Sequence, residues 1–126
     1  MIIVAVGLDA TDIPRIDDTL RRFGDRFLRR VFTEGEISYC MRRPNPAPHL
    51  AARFAAKEAG MKALGTGRSL GVLWREIEVV RHDGPPQLQF HGTAAARFAS
   101  LGATRALLTI THAESLALAH VLFVRD

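Results

Sequence analysis

The main change in the spacing of the apolar residues along the 126-residue chain falls close to Gly65. Before that glycine, most apolar residues recur at helical spacing, whereas after it the period changes to two, most clearly over 73–81. Helices are therefore expected mainly in the first half and strands mainly in the second. We predict an α+β fold in which the helices pack on a mainly antiparallel sheet, in a single domain over 1–126.

The chain begins with a predicted strand that leads into a helix. The apolar, partly β-branched run 2–8 predicts a buried strand with Asp9 at its C-terminal end. From Asp12 the spacing becomes helical, and an apolar stripe continues to Phe23. Four arginines are predicted on another side of this helix: Arg15, Arg22, Arg26 and Arg29.

Two further helices are predicted before the change of spacing. Thr33 and Glu36 stand at capping-box spacing, which predicts a short helix from 33 to about 42. The longest helix should run from about 48 to 64, and Gly65 is well suited to end it in a left-handed conformation.

The second half is expected to be mostly strand. Turn residues at 82–86 separate its first two predicted strands, and Gly102 ends the predicted helix before the closing strands. We predict, in order, a strand over 73–81, a strand beginning at Gln87, a helix over 93–101, and closing strands over about 105–111 and 116–124 joined by a tight turn at Ala113 and Glu114.

Composition excludes several classes of protein. The chain is 48% apolar, which is enough for a sizeable core and argues against disorder. No apolar run reaches the roughly 18 to 20 residues of a membrane-spanning helix, and no basic segment precedes the first apolar run. Cys40, the one cysteine, has no partner for an internal disulfide. We therefore expect a cytoplasmic protein without a membrane partner.

Basic residues are concentrated in one stretch. The net charge is +4, and between Arg21 and Arg43 seven arginines face three acidic residues. Such a stretch favours an anionic partner. Charge alone does not decide whether this partner is nucleic acid, a phosphorylated small molecule or an acidic protein. The alternative is a solvated helix surface without a partner.

Asp9 and Glu58 are the first candidates for chemistry. Strand ends and long helices are rigid platforms on which distant carboxylates can converge, and Mg²⁺ commonly binds one or two protein carboxylates together with substrate phosphates. The alternative makes Asp9 a turn residue and pairs Glu58 with Lys62 one helical turn away.

Other residues suit an anionic substrate. Lys62 could neutralise charge on a leaving phosphate, while a carboxylate orients or deprotonates an attacking hydroxyl. The GTG segment 65–67 offers backbone N–H groups, and His112 stands at a predicted strand end where it could contact a phosphate or a nucleotide. Each also has an ordinary structural explanation. Lys62 fits an amphipathic helix, the GTG segment fits a helix stop, and His112 fits a surface position at a strand end.

Four segments occur together in a recognisable order. They are VGLDATDIPRI at 6–16, FTEGEISYC at 32–40, RFAAKEAGMKALGTG at 53–67 and TITHAESLALAHVLF at 109–123. In these segments the chain resembles holo-acyl-carrier-protein synthase, a family of small 4′-phosphopantetheinyl transferases. The resemblance spans nearly the whole chain, and the block at 53–67 is very specific.

The resemblance implies a reaction and its site residues. The phosphopantetheine arm of coenzyme A would pass to a serine of apo acyl carrier protein, releasing adenosine 3′,5′-bisphosphate. Asp9 and Glu58 would hold Mg²⁺, and Glu58, a metal-bound water or Lys62 would take the serine proton. The resemblance implies nucleotide contacts by Arg53, Gly65, Thr66, Gly67, Pro86 and His112, and docking of the acidic carrier by Arg15, Arg22 and Arg26.

The resemblance also implies a homotrimer with three sites at subunit interfaces. A physical hint agrees, since the closing strands are apolar on both faces. The chain departs from the family in its closing motif. The usual family motif is S-x-S-H followed by a polar residue, whereas residues 109–112 here read T-I-T-H and Ala113 follows. Threonine keeps the hydroxyls, whereas a contact by the residue after His112 is in doubt.

Two other hypotheses remain at this point. A nucleic-acid-binding module would explain the arginines, but the sequence has neither an aromatic-rich strand for stacking nor a helix-turn-helix pattern. No nucleic-acid partner is expected. A catalytically inactive relative is disfavoured by the presence of Asp9, Glu58 and Lys62. Whether the carrier protein serves fatty-acid or polyketide synthesis is left open.

Overall fold

The structure is a computed structural model that describes residues 1–66 and 71–126. No helix in these two ranges is long and apolar enough to cross a membrane. The elements in these ranges are α1 Ile13–Phe23, α2 Asp25–Val31, α3 Glu34–Met41, α4 Ala47–Leu64 and α5 Gly92–Ser100, with β1 Ile2–Asp12, β2 Ile77–Val80, β3 Gln87–Phe90, β4 Arg105–Ala113 and β5 Leu116–Arg125.

The strands form two antiparallel sheets. The larger has the order β1-β5-β4, and the smaller is the hairpin of β2 and β3. The α+β prediction is confirmed, with four of the five helices in the described part preceding residue 65. The larger sheet takes its first strand from the N-terminus, so the closing strands are not a sheet by themselves.

Helix α4 is the central element of the fold. Its alanines, among them Ala55 and Ala59, are fully buried against the larger sheet. At Gly7 the backbone of β1 comes so close that an added Cβ would collide with the carbonyl of Ala59. Small residues on both sides therefore allow close packing. This approach brings Asp9 of β1 beside the part of α4 that carries Glu58.

The first strand differs from the sequence prediction in two ways. It continues to Asp12, so Asp9 lies within the strand rather than at its end. It is also not buried, since Val6 and Leu8 are 58% and 60% exposed. The reason is its position at the edge of the larger sheet, where β5 pairs with it and α4 covers one face only.

The arginines predicted on one helix lie on two. Gly24, at φ 52°, ends α1 and separates it from α2. Arg15 and Arg22 belong to α1, whereas Arg26 and Arg29 belong to α2. Glycine adopts a positive φ without a steric penalty, which allows the chain to change direction there.

The predicted strand over 73–81 is wrong in its first part. Residues Trp74–Glu76 form a 3₁₀ turn, and β2 begins only at Ile77. The Glu76 carboxylate accepts hydrogen bonds from the backbone N–H groups of Leu73 and Thr93, which closes the turn and ties it to α5. A long-range contact therefore overrides the local alternation.

The other local predictions are confirmed. The Thr33–Glu36 capping box forms at the start of α3, and α4 ends at Gly65 in the left-handed conformation, with φ 74°. The closing strands β4 and β5 flank a turn in which Glu114 has φ 53°. These features depend on residues close together in sequence, which is why pattern alone suffices for them.

Candidate active site

Asp9 and Glu58 line the same cleft. It has a volume of about 630 Å³ and lies between β1, α1, α2 and α4, with Trp74 on its wall. Its positively charged lining residues are Arg15 and Arg30, and Phe54 contributes apolar surface. The two carboxylates, one on a strand and one on a long helix, thus lie on the wall of one cleft.

Both oxygens of Asp9 accept hydrogen bonds. Lys62 Nζ donates to Asp9 Oδ1 at 2.9 Å, and Thr11 Oγ1 donates to Oδ2 at 2.9 Å. The same ammonium donates to the Leu8 carbonyl at 2.9 Å. Lys62 is therefore paired with Asp9, and the alternative in which it pairs with Glu58 is wrong.

Glu58 is held through one oxygen only. Its Oε1 accepts the indole N–H of Trp74 at 2.8 Å. Within residues 1–66 and 71–126, no donor is hydrogen-bonded to Oε2. One oxygen of this carboxylate is thus fixed by the protein, and the other retains its capacity to bind a ligand.

The donor set of this cleft fits a magnesium ion. Its carboxylates are Asp9, Asp12 and Glu58, of which Asp12 accepts the backbone N–H of Arg15, and the described residues contain no cluster of three or more His, Cys, Asp or Glu side chains that could hold a metal. Zinc sites typically use three or four protein ligands of that kind. Mg²⁺ takes few protein carboxylates and leaves its remaining positions to water and phosphate oxygens.

A second cleft collects three of the predicted nucleotide-binding residues. It has a volume of about 410 Å³, and Arg53, Pro86 and His112 line it. Arg53 is only 6% exposed, and its Nε has no hydrogen-bond partner in the described part of the chain. A buried donor without a partner is costly, so this arginine is suited to an anionic ligand.

The second cleft is positively charged. The guanidinium groups of Arg43 and Arg53 lie over the ring of Tyr39, at 3.8 and 3.9 Å from its centroid. A hydrogen bond from Arg43 is the largest factor that holds the pKa of Tyr39 below its usual value. Burial, followed by the charges of Arg43 and Arg53, lowers the pKa of His49. The charges of Arg43 and Arg53 contribute to both shifts, and this positive charge favours an anion in the cleft.

The other predicted residues have different surroundings. Gly65 is exposed at the end of α4 and Thr66 is buried, while Gly67 lies outside the described residues. Arg22 is exposed and its guanidinium lies 5.6 Å from the ring of Phe23. Arg26 lines a groove between α1 and α2 together with Phe23, Phe27 and Arg30.

Sequence reasoning missed several residues of both clefts. Trp74, Thr11 and Arg30 in the first cleft were not singled out, nor were Tyr39 and His49 in the second. Arg30 stood within the basic stretch, which was a signal for an anionic partner but not for a cleft. The local spacing of residues gives no signal that Trp74, Thr11, Tyr39 or His49 lines a cleft.

The family model of the 4′-phosphopantetheinyl transferase superfamily matches residues 5–119. The chain belongs to this superfamily. The matched range includes Asp9 and Glu58 of the first cleft as well as Arg53 and His112 of the second. Both clefts therefore lie within the part of the chain that is typical of these transferases.

Individual members of the superfamily are similar over nearly the whole chain. The holo-[acyl-carrier-protein] synthase of Koribacter versatilis is 48% identical over 121 residues, which are 95% of this chain and 97% of the relative. The crystal structure of the synthase from Neisseria meningitidis has a TM-score of 0.87 at 32% identity and covers 98% of this chain and 100% of its own.

A third relative was solved with a ligand. The synthase from Bacillus anthracis, in complex with CoA (3′,5′-ADP), has a TM-score of 0.81 at 31% identity, and the match covers 100% of both chains. These relatives assign this member of the superfamily to the holo-[acyl-carrier-protein] synthases.

Proposed function

We propose that the protein transfers the 4′-phosphopantetheine group of coenzyme A to a serine of apo acyl carrier protein, in a Mg²⁺-dependent reaction that releases adenosine 3′,5′-bisphosphate. The observation that carries the proposal is the convergence of Asp9 and Glu58 in one cleft of a chain that belongs to this superfamily. The CoA complex of the Bacillus anthracis relative supports coenzyme A as the co-substrate.

The reaction is an attack on phosphorus. The serine oxygen forms a bond to the phosphorus that carries the pantetheine arm, and the bond between that phosphorus and the bridging diphosphate oxygen breaks. The leaving group takes both electrons of that bond. Mg²⁺ held by Asp9 and Glu58 would supply charge neutralisation on the diphosphate.

We assign the transfer of the serine proton to Glu58. Its Oε2 accepts no hydrogen bond from the described residues and has two lone pairs, one for Mg²⁺ and one for the proton. The Lys62 ammonium already donates to Leu8 O and Asp9 Oδ1 and has no lone pair of its own. Lys62 is 55% exposed at its side chain, and its role would be to stabilise negative charge on the diphosphate.

We further propose that a homotrimer completes the site. On one chain, the Asp9–Glu58 cleft and the Arg53–His112 cleft have no lining residue in common. The open face of the larger sheet also exposes Val6, Leu8 and Leu107, which is apolar surface suited to contact with another subunit. In the trimer, the Arg53–His112 cleft of one subunit would bind the nucleotide end of a coenzyme whose diphosphate lies at Asp9 and Glu58 of the next.

Two groups of residues complete the proposed site. Gly65, Thr66 and Gly67 would approach the phosphates at the end of α4. The arginines of α1 and α2, Arg15, Arg22 and Arg26, would dock the acidic carrier beside the cleft. The reaction would take place in the cytoplasm, which agrees with a single cysteine, Cys40, that is buried as a free thiol.

Mass spectrometry tests the activity directly. Apo carrier protein incubated with coenzyme A, Mg²⁺ and this protein should gain the mass of one phosphopantetheine arm. A carrier whose acceptor serine is replaced by alanine is the control and should gain nothing. An unchanged mass of the unaltered carrier would contradict the proposed function.

Mixing two inactive variants tests the composite site. D9A and H112A chains unfolded and refolded together should regain activity, because mixed trimers contain interfaces with both residues intact. D9A mixed with E58A is the matched control and should stay inactive, since both changes fall in the same cleft. No recovery in the first mixture, or a monomer mass with full activity in light scattering, would contradict the trimer.

A further inference from the structure

The single tryptophan of the chain contacts the helix that carries the candidate metal ligand. Trp74 Nε1 donates to Glu58 Oε1 at 2.8 Å. The Trp74 ring also lies against Phe54, with 6.0 Å between the ring centroids. Phe54 precedes Glu58 by one helical turn, so the two residues lie on the same side of α4. One face of α4 therefore contacts the tryptophan at its ring and at its N–H.

The geometry restricts how Glu58 can point. A free glutamate on a helix surface samples several rotamers, and a ligand must then fix one of them at an entropic cost. The indole N–H only donates, and a hydrogen bond to a carboxylate is charge-assisted. Because Oε1 is held by Trp74, the remaining oxygen is kept available to the cleft that Asp9 also lines.

We propose that Trp74 is a positioning residue for Glu58, which raises the affinity of the cleft for Mg²⁺ before substrate binds, and that its emission reports metal binding there. The inference rests on the proposed Mg²⁺ site at Asp9 and Glu58. It adds a residue outside the two carboxylates, on a turn that follows α4 in the chain.

The first test removes the N–H and keeps an aromatic ring. Binding of Mn²⁺, used as a probe for Mg²⁺, is measured by electron paramagnetic resonance in the presence of coenzyme A. W74F should bind Mn²⁺ about 10-fold more weakly, at the lower end of the effect of groups that orient metal ligands. F98L, which removes a ring from the contact between α5 and the core, is the matched control for lost packing and should bind as the wild type does.

The outcomes separate this inference from the proposed function. If E58A weakens Mn²⁺ binding while W74F binds like the wild type, the role of Trp74 is overturned and the metal site stands. If E58A itself binds Mn²⁺ normally, the metal site of the proposed function is wrong. An equal loss in W74F and F98L would show an effect of packing and would also overturn the positioning role.

A second measurement needs no change at Trp74. In the wild type, Mg²⁺ added to the complex with coenzyme A should shift the tryptophan emission, because the carboxylate that accepts the N–H becomes partly neutralised. In E58Q the shift should be lost. Unchanged wild-type emission at Mg²⁺ concentrations that saturate activity would overturn the inference even if W74F fails to fold.

Discussion

Both lysines of the chain stand on α4, and each is paired with a carboxylate. Lys57 lies 2.6 Å from Glu36, and both side chains are fully buried. Lys62 lies 2.9 Å from Asp9, and the side chains of that pair are 55% and 16% exposed. The two pairs have the same chemistry but opposite surroundings.

Further hydrogen bonds hold the buried pair in place. Glu36 also accepts from the backbone N–H groups of Thr33 and Val79, and Lys57 donates to the Ile77 carbonyl at 2.6 Å. Burial lowers the pKa of Lys57, and the Glu36 charge opposes that effect. This pair joins α3, α4 and β2, and because both side chains are fully buried, neither is accessible to a ligand.

The exposed pair shows what a ligand site needs instead. Asp9 lines a cleft, as does Glu58, which follows Lys57 directly in sequence. Consecutive residues of a helix point in directions about 100° apart. Lys57 therefore points into the core toward Glu36, whereas Glu58 points into the cleft. Burial therefore separates a structural ion pair from a candidate catalytic one.

The largest effect is expected at the cleft carboxylates. D9A and E58A should each lower turnover by about 10³-fold or more, because loss of one metal ligand leaves the diphosphate charge poorly neutralised. Carrier modification is followed by mass spectrometry over a range of Mg²⁺ concentrations. EDTA should inhibit the wild type in the same way. Near-normal activity of either variant at low Mg²⁺ would exclude that residue as a ligand.

Breaking the buried pair should instead reduce stability. E36A is expected to lower the free energy of unfolding by about 3 to 5 kcal/mol, because it leaves the Lys57 charge buried without its partner. Chemical denaturation of E36A and K62A measures the contrast, and K62A should lose about 1 kcal/mol or less. An equal loss of unfolding free energy in E36A and K62A would show that burial does not make the first pair more important for stability than the second.

Lys62 should affect the reaction more than the fold. K62A is expected to lower kcat about 10²-fold, the effect typical of removing one group that stabilises charge in the transition state. K62R keeps the positive charge and is the matched control, with a smaller loss expected. Steady-state kinetics at saturating coenzyme A and carrier distinguishes the two. Unchanged kcat in K62A would restrict Lys62 to a structural role beside Asp9.

The smallest effect is expected at the exposed arginines. R15E and R22E should raise KM for the carrier protein about 2- to 5-fold, since single exposed charge pairs contribute about 0.2 to 1 kcal/mol. KM for coenzyme A should change less, and added salt should raise the wild-type KM for the carrier.

R125E, at the opposite end of β5 from the cleft, is the matched control for the arginine variants. Carrier KM values equal to the wild type in R15E and R22E at low salt would place the docking surface elsewhere. Arg30, which lines both the cleft and the groove beside Arg26, is then the next residue to test.

Much of the fold follows from local sequence. The capping box at Thr33 and Glu36 and the end of α4 at Gly65 depend on residues within a few positions of one another, and the closing strands β4 and β5 pair across a short turn. The break at Gly24 was missed because apolar spacing continues through it. The 3₁₀ turn at Trp74 was missed because the Glu76 carboxylate that stabilises it binds Thr93, far along the chain.

The sequence by itself determined the α+β class, α4 and its end, and, through its motifs, the carboxylates Asp9 and Glu58. Only the tertiary structure decided which partner each side chain has. Lys62 bonds with Asp9, 53 residues away, and Glu58 with Trp74, 16 residues away. Helix and turn preferences arise from contacts within one or two turns, whereas ion pairs and clefts form between elements that only the folded chain brings together.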